Sequence, residues 1–537
     1  MYNVGDFGRR GGPMLLTVLM STILAGANTL SDVPLDDEVY KLLDRLQVKG
    51  VVPPSGEMYP LSRGEVVRLL GKAIEGKASP LERKESSAYL RRYPYEAYAL
   101  GVKVGKPRRY FLKKVGPDFL FYLDTRVGIS VRLRHGKAFP ELGMGFLISV
   151  FPDLCGNLGK IGFMSHIEWY LMTGRLFGDL FPDETRVSYR REKGDPIDAD
   201  NVGRTEAYMV FPLSHGSLLL GRGRLRWGPG RHGALLLSGG TSPWDMLRLR
   251  FGYRGLGFEA FTAVLKGEDS RGVRRPKYLS GHRLEVRWNR FQFGVSETVV
   301  YGDRFEPSYL NPFSVYLITE QQASRSIPPE AEGGEMGSGD NVLAGVDVGA
   351  FFKNLKLYCE ILVDDYRPTY SPKHWRNKYG LLGGFHWADP LGLKDSDLRA
   401  EYAFVNQYCY THERAINRYK HLSRPIGHPI GSDADDLWAE FEKRFGPGMG
   451  ISFYYERLRK GEGSMDRDHG PGDPDCWEFL SGTEEVKSIL GIRVFWREIG
   501  KRDAELNLRY IRIWNFEHIE GRKSSGLEVL LSLEHRM

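Results

Sequence analysis

Strict alternation of apolar and polar residues, beginning near Tyr110 and recurring almost to the last residue, limits this chain more than any other feature. Successive side chains of a strand point to opposite faces, so period 2 predicts strands with one greasy and one wet face. Phe119, Phe121, Leu123, Val127, Ile129, Val131 and Leu133 alternate with Asp124, Arg126, Ser130, Arg132 and Arg134. Ile161, Phe163, Ile167, Trp169 and Leu171 alternate with His166, Glu168 and Tyr170. The same reading holds for Leu284–Trp288, Leu355–Val363, Val486–Trp496 and Leu527–Leu533. No helical pattern interrupts it.

The pattern is sharpest from Leu219 to Arg254, around RWGPGRHG. Before that turn, Leu219, Gly221, Gly223, Leu225 and Trp227 form the apolar phase, with Arg222, Arg224 and Arg226 between them. After it, Leu247, Leu249, Phe251 and Tyr253 alternate with Arg248, Arg250 and Arg254. Guanidiniums crowded on neighbouring strands repel one another unless acids answer them or the face is wet. The expectation is an apolar face on lipid and an arginine face lining a water-filled barrel.

A soluble sandwich also alternates, so period alone does not choose. Two further features favour a membrane. Arg9 and Arg10, the apolar run Met14–Ala27 and the small residues Ala25-Gly26-Ala27 together read as a secretory signal peptide over 1–27. Aromatic residues also gather near strand ends, as in membrane barrels. At roughly 24 residues per strand with its turn, the stretch 110–537 holds about 18 antiparallel strands. The long polar segments Arg190–Asn201, Glu268–Lys277, Ser324–Asn341 and Gly461–Asp475 read as outer loops.

Residues 28–109 differ. Val39, Leu42, Leu43 and Leu46 make a helical stripe, and Gly50 ends it. Ser62 with Glu65, and Ser79 with Glu82, are capping boxes for two more helices, and Pro94 interrupts the last. Such short helices bury little alone, so a small periplasmic cap docked on the barrel is expected, with a plug of its mouth as the sharper alternative.

Composition agrees. Mean hydropathy of -0.37 excludes a helical membrane protein but suits a barrel, in which every second strand residue faces lipid. The net charge of +7 comes with no nucleic-acid signature. Cysteines 155, 359, 409 and 476 form no CxxC and imply neither metal nor disulfide framework. Cys359 falls on an apolar phase.

The phrases PLDDEVYKLLDRL, YPLSRGEVVRLL, RWGPGRHGALLLSGG, YGDRFEPSYLNP, LYCEILVDDY, RAEYAFVNQYCYTH and GHPIGSDADD, in that order, resemble the Wzi-type capsule-assembly family of outer-membrane proteins. The resemblance implies an outer-membrane β-barrel with a helical bundle at its periplasmic end. It also implies a lectin-like role in holding capsular polysaccharide on the cell surface.

Arg222, Arg224, Arg226, Trp227, Arg248, Arg250 and Arg254 are the candidate polysaccharide-binding residues. Guanidinium pairs bidentately with carboxylate or phosphate groups of an anionic glycan. The competing structural role is pairing with luminal acids such as Glu206, Glu285, Glu360 and Glu401. Trp227 suits a sugar ring or, at a strand end, the interfacial girdle. Asp466, Asp468, Asp473 and Asp475 mimic a calcium loop, but Trp477 stands where Glu is required. His412, His421 and His428 with Asp433, Asp435 and Asp436 have no ligand spacing, so no metal and no cofactor is assigned. Glu360 and Asp364 share a strand face, yet any polar lumen supplies such carboxylate pairs, and no nucleophile elbow, HExxH or phosphate loop occurs. The expectation is a non-enzymatic, monomeric outer-membrane barrel that meets lipid and an anionic surface polysaccharide. A porin-like anion-preferring channel is the alternative.

Overall fold

The computed structural model describes residues 29–105, 110–116, 118–139, 141–173, 176–177, 180–181, 186–189, 199–268, 272–324 and 339–537. The expected leader over 1–27, and the loop segments 190–198 and 325–338, lie outside the described residues.

Eighteen antiparallel strands close into one barrel. They are β1 (Phe119–Gly136), β2 (Gly143–Leu158), β3 (Ile161–Thr173), β4 (Ala199–Leu213), β5 (Gly216–Gly223) and β6 (Trp244–Tyr253). Next come β7 (Leu256–Glu268), β8 (Arg274–Trp288), β9 (Phe291–Gly302), β10 (Asn341–Phe352), β11 (Leu355–Asp365) and β12 (Lys378–Ala388). The last are β13 (Ser396–Val405), β14 (Ala434–Gly446), β15 (Met449–Lys460), β16 (Glu485–Glu498), β17 (Arg502–Trp514) and β18 (Lys523–Arg536). The seam pairs β18 with β1, from Gly526↔Gly136 to Arg536↔Arg126.

The two ends of the barrel are unlike. One carries tight turns, with Asn289 and Asn354 in the left-handed conformation that hairpin turns demand. The other carries the long connections 224–243, 303–340, 366–377, 406–433 and 461–484.

The predicted phase holds on most strands. Ile129, Leu133, Ile167, Trp169, Leu284, Val286, Leu357, Ile361, Leu490 and Val494 point outward and are exposed, while Arg132, Arg134, His166, Arg283, Glu285 and Glu360 are buried inside. An apolar surface wrapped round the whole wall is untenable in water and natural in lipid. Cys359 lies on that outer surface, as its phase predicts. Trp288, Phe445 and Trp496 stand exposed at the tight-turn end, where an interfacial girdle belongs. No helix among the described residues is long and apolar enough to cross a membrane.

Between β9 and β10 the chain folds back along the outside of the wall. There the helix Tyr316–Ser324 covers an outward polar pair, His282 and Glu297, which stand 3.4 Å apart. Glu297 accepts the backbone N–H groups of Tyr316 and Leu317 at 2.7 and 3.0 Å, so the helix start satisfies a carboxylate that would otherwise face hydrocarbon.

The N-terminal region forms α1 (Val39–Val48), α2 (Arg63–Glu75), α3 (Pro80–Leu90) and α4 (Pro94–Ala99). Ser62 caps α2 by accepting the Glu65 N–H, and Ser79 and Glu82 complete the reciprocal box of α3. Val39, Leu42, Leu43, Leu46, Val66, Leu69 and Leu70 share a core of their own. The helices dock at the tight-turn end. Arg45, 1% exposed, reaches Glu82 at 2.8 Å, Asp389 at 2.5 Å and Asp397 at 3.1 Å, so one guanidinium joins two helices to the β12–β13 turn.

One expected phase is wrong. On β5 the outward residues are Leu218, Leu220 and Arg222, and Leu219 is fully buried on the inner side. After Gly223 the chain leaves the wall altogether. RWGPGRHG is not a hairpin turn but the start of a loop, 224–243, that folds into the lumen before β6 begins. The alternation of Leu225 and Trp227 with arginine mimics a strand because a short piece, Arg226–Trp227, does pair, with Met58–Tyr59 of the N-terminal region. On β6 the expected phase holds: Leu247 and Phe251 face out, and Arg248 is buried inside.

Candidate functional site

The inserted loop owes its shape to two glutamates on the wall. Glu360 on β11 accepts the N–H of Gly230 at 2.8 Å and of Leu235 at 2.7 Å. Glu401 on β13 accepts those of Arg231 and His232 at 2.6 and 3.0 Å. Gly228, with φ of +112°, lies so near the Glu360 carboxylate that a Cβ would come within 2.5 Å of its oxygen, so the glycine of this motif serves close approach. Leu235, Leu236 and Leu237 then pack with Tyr410, Tyr419 and Ile426 from the 406–433 connection and with the inner faces of the wall. The lumen over these strands is a hydrophobic core.

The seven sequence-predicted residues fall into four environments. Arg224 is buried and bridges two carboxylates, donating from Nε to Glu206 at 2.6 Å and from a terminal nitrogen to Asp36 at 2.7 Å. Arg248 reaches Asp32 at 2.9 Å, and Arg250 reaches Glu259 at 2.5 Å and the Pro60 carbonyl at 2.8 Å. Arg226 lies 4.1 Å from the centre of the Tyr59 ring. These four join wall or loop to the N-terminal region. Arg222 faces outward, paired with Asp245 at 2.5 Å. Arg254 sits in the β6–β7 turn against Tyr253. Trp227 is 1% exposed and donates its indole N–H to Glu259 at 2.7 Å, so it lies neither in the lipid girdle nor on a free surface. Of the acids expected opposite the arginines, Glu206 takes one of the seven. Glu360 and Glu401 cap backbone amides, and Glu285 accepts the Glu57 N–H at 2.6 Å while facing Arg283.

Beneath this core, at the tight-turn end, a polar cavity of about 310 Å³ separates the helices from β1–β4 and β18. Arg63, Arg92, Arg126, Arg204 and Arg536 line it against carboxylates that include Asp37 and Glu168. Burial alone would push the Asp37 carboxyl up, but Arg92, 2.5 Å away, holds it below the usual aspartate range.

At the opposite end, sequence reasoning missed an aromatic surface. The 366–377 and 461–484 connections are tied by Trp375 N–H to the Asp475 carbonyl at 2.9 Å and Trp477 N–H to the Lys373 carbonyl at 2.8 Å. Trp375 and His469 stack at 4.1 Å and 4°, Tyr370 and His374 at 4.1 Å and 23°, and Arg376 lies over Trp375. Tyr366 and Tyr370 are exposed beside Arg367 and Lys373, and Phe479 is exposed where it stacks on Phe404 under Arg459. The signal lay in the spacing of Tyr366, Tyr370, His374 and Trp375, but the partner His469 comes from a remote loop. The acidic loop resolves into local pairs: Asp466 with Lys420 and Arg418, Asp468 with Thr411 and Lys378, and Asp473 with Arg467. Asp436, set aside in the sequence for want of spacing, meets His232 and Glu456.

A model of the capsule assembly protein Wzi family matches residues 173–525. The chain belongs to the Wzi capsule-assembly family. Its barrel is therefore an outer-membrane one. Among solved structures it is similar to Wzi of Escherichia coli, described as an outer-membrane protein involved in group 1 capsule assembly and a carbohydrate-binding β-barrel. The two share 14% identity over 94% of this chain and 99% of that one, with a TM-score of 0.56. Two Pseudomonas aeruginosa proteins also align at 10% identity: OccK5 over 78% of this chain and 98% of its own, with a TM-score of 0.42, and OpdK with vanillate over 77% and 98%, with a TM-score of 0.44. No curated protein sequence matches.

Proposed function

We propose that this Wzi-family barrel binds an anionic surface polysaccharide at its long-loop end and helps to attach it to the cell, without catalysing a reaction on it. The tight-turn end with its helices faces the periplasm, because outer-membrane barrels carry short turns there and long loops outside. The observation that carries the reading is the aromatic surface of Tyr370, Trp375, His469 and Phe479 with Arg367, Lys373 and Arg376 beside it. Aromatic rings pack against the C–H faces of sugars, and the neighbouring cations meet uronate or phosphate groups. The luminal arginines take a different part: with their charges answered by Asp32, Asp36, Glu206 and Glu259, they tie the lumen's contents together rather than contact glycan.

The test is retention of acidic capsular polysaccharide by cells carrying Trp375→Ala with Arg376→Ala, against wild type, with unboiled gels confirming equal amounts of folded barrel. Retention falls at least several-fold. Unchanged retention overturns the assignment of this surface, and large steady anion-selective steps in planar bilayers favour a channel.

A further inference from the structure

We infer that His232, Asp436 and Glu456 form a divalent-cation site of the zinc class that clamps the inserted loop to the barrel wall. The three come from separate stretches: His232 from the luminal loop, Asp436 from β14 and Glu456 from β15. The two strands place their carboxylates on the same inner face, and the loop brings the imidazole between them. His232 Nε2 lies 3.4 Å from Asp436 Oδ2 and 3.8 Å from Glu456 Oε2, and one ligand atom from each residue falls within 4.8 Å of the others. Ligands about 2.1 Å from a tetrahedral ion sit about 3.4 Å from one another, so small side-chain movements bring all three into one coordination sphere.

Two further observations point to a cation. The Asp436 carboxyl is 3% exposed, and its Oδ1 has no hydrogen-bond partner. A carboxylate withdrawn from water with an oxygen left over is costly unless a charge answers it. The neighbouring Glu401 and Glu456 are themselves anions and add to that cost, and Glu401 is spent on the Arg231 and His232 N–H groups and the Tyr358 hydroxyl at 2.7 Å. Moreover, the imidazole is held in place as a ligand requires. Its ring stacks on Trp438 at 5.2 Å and 9°, and its backbone is fixed by Glu401. Orientation of this kind is what the surroundings of a metal-binding histidine supply. His232 is 31% and Glu456 20% exposed, which leaves an entry from the lumen. One imidazole and two carboxylates favour Zn²⁺ over an all-oxygen Ca²⁺ or Mg²⁺ site.

The experiment titrates Zn²⁺ into the purified full-length barrel in detergent by calorimetry, and records the visible spectrum with Co²⁺ in its place. The expected result is one Zn²⁺ per chain, with His232→Ala and Glu456→Gln each weakening it at least about tenfold and abolishing the Co²⁺ d–d bands while keeping the mobility of the folded barrel. Absence of saturable one-to-one binding overturns the inference. So does binding that both variants retain unchanged, which would place the ion on other histidines.

Discussion

Two sectors of the same barrel wall handle their inner faces in opposite ways. From β5 to β13 the inward positions include Leu219, Phe261, Leu265, Leu279, Val300, Leu343 and Leu362, all buried against the inserted loops. From β15 to β17 they include Tyr454, Glu456, Arg493, Glu505, Asn507 and Arg509, all half-exposed, with buried Ile489, Phe495, Ile511 and Ile513 only toward the strand ends. The outer faces of both sectors are equally apolar, because both meet lipid. The contrast teaches that barrel closure and lumen filling are separate problems. Ladders and lipid settle the first, and segments threaded in from both ends settle the second.

If the packed sector carries the stability, the largest loss comes from Trp227→Ala. It empties a buried indole site and strands the Glu259 acceptor, at a cost of about 3–5 kcal/mol, read as a lower urea midpoint for the gel-shifted folded form. Arg45→Ala tests whether the helices belong to that sector. It leaves Glu82 and Asp397 buried without their shared cation, for about 3–5 kcal/mol, and protease should nick the N-terminal region while the barrel stays intact. Asp37→Asn removes a charged hydrogen bond worth roughly 1.5–3 kcal/mol. The folded-state carboxyl of Asp37 lies below its unfolded value. That contribution is therefore complete above about pH 4 and fades as pH falls through the depressed value. Wild type and variant should converge in acid, seen as equal exchange protection of α1. The smallest effect is expected in the polar sector: Tyr454→Phe deletes a 2.8 Å bond to Asn507 for about 0.5–1.5 kcal/mol, visible as a slight midpoint shift. A Tyr454 effect as large as that of Trp227 would erase the distinction.

The same contrast explains what was legible beforehand. Alternation is cleanest where the lumen is wet, as in β17, where Ala504, Leu506, Leu508 and Tyr510 alternate with the inward Glu505, Asn507 and Arg509. It blurs where the lumen is filled: on β9 the outward Val299 and the inward Val300 are both fully buried, one under the external helix and the other in the core. Strand number, helices and caps were therefore readable, whereas the phase of β5 was not, since Leu219 faces a core that period 2 cannot distinguish from lipid. The candidate site was legible in part. Arg224, Arg248 and Arg250 do point inward, but the partners that tie them to the N-terminal region, Asp36, Asp32 and Pro60, lie 188, 216 and 190 residues away in the sequence. Likewise the His232, Asp436 and Glu456 cluster has no local spacing to read.

The N-terminal region touches the wall at Tyr208 on β4, Arg248 on β6, Glu285 on β8, Lys356 on β11, Asp397 on β13, Arg444 on β14 and Arg497 on β16. A cylinder held only by its ladders can flatten into an ellipse at small cost. Spokes running from one hub to strands all round the circumference forbid that, so this rim keeps a fixed radius whatever the surrounding bilayer presses on it.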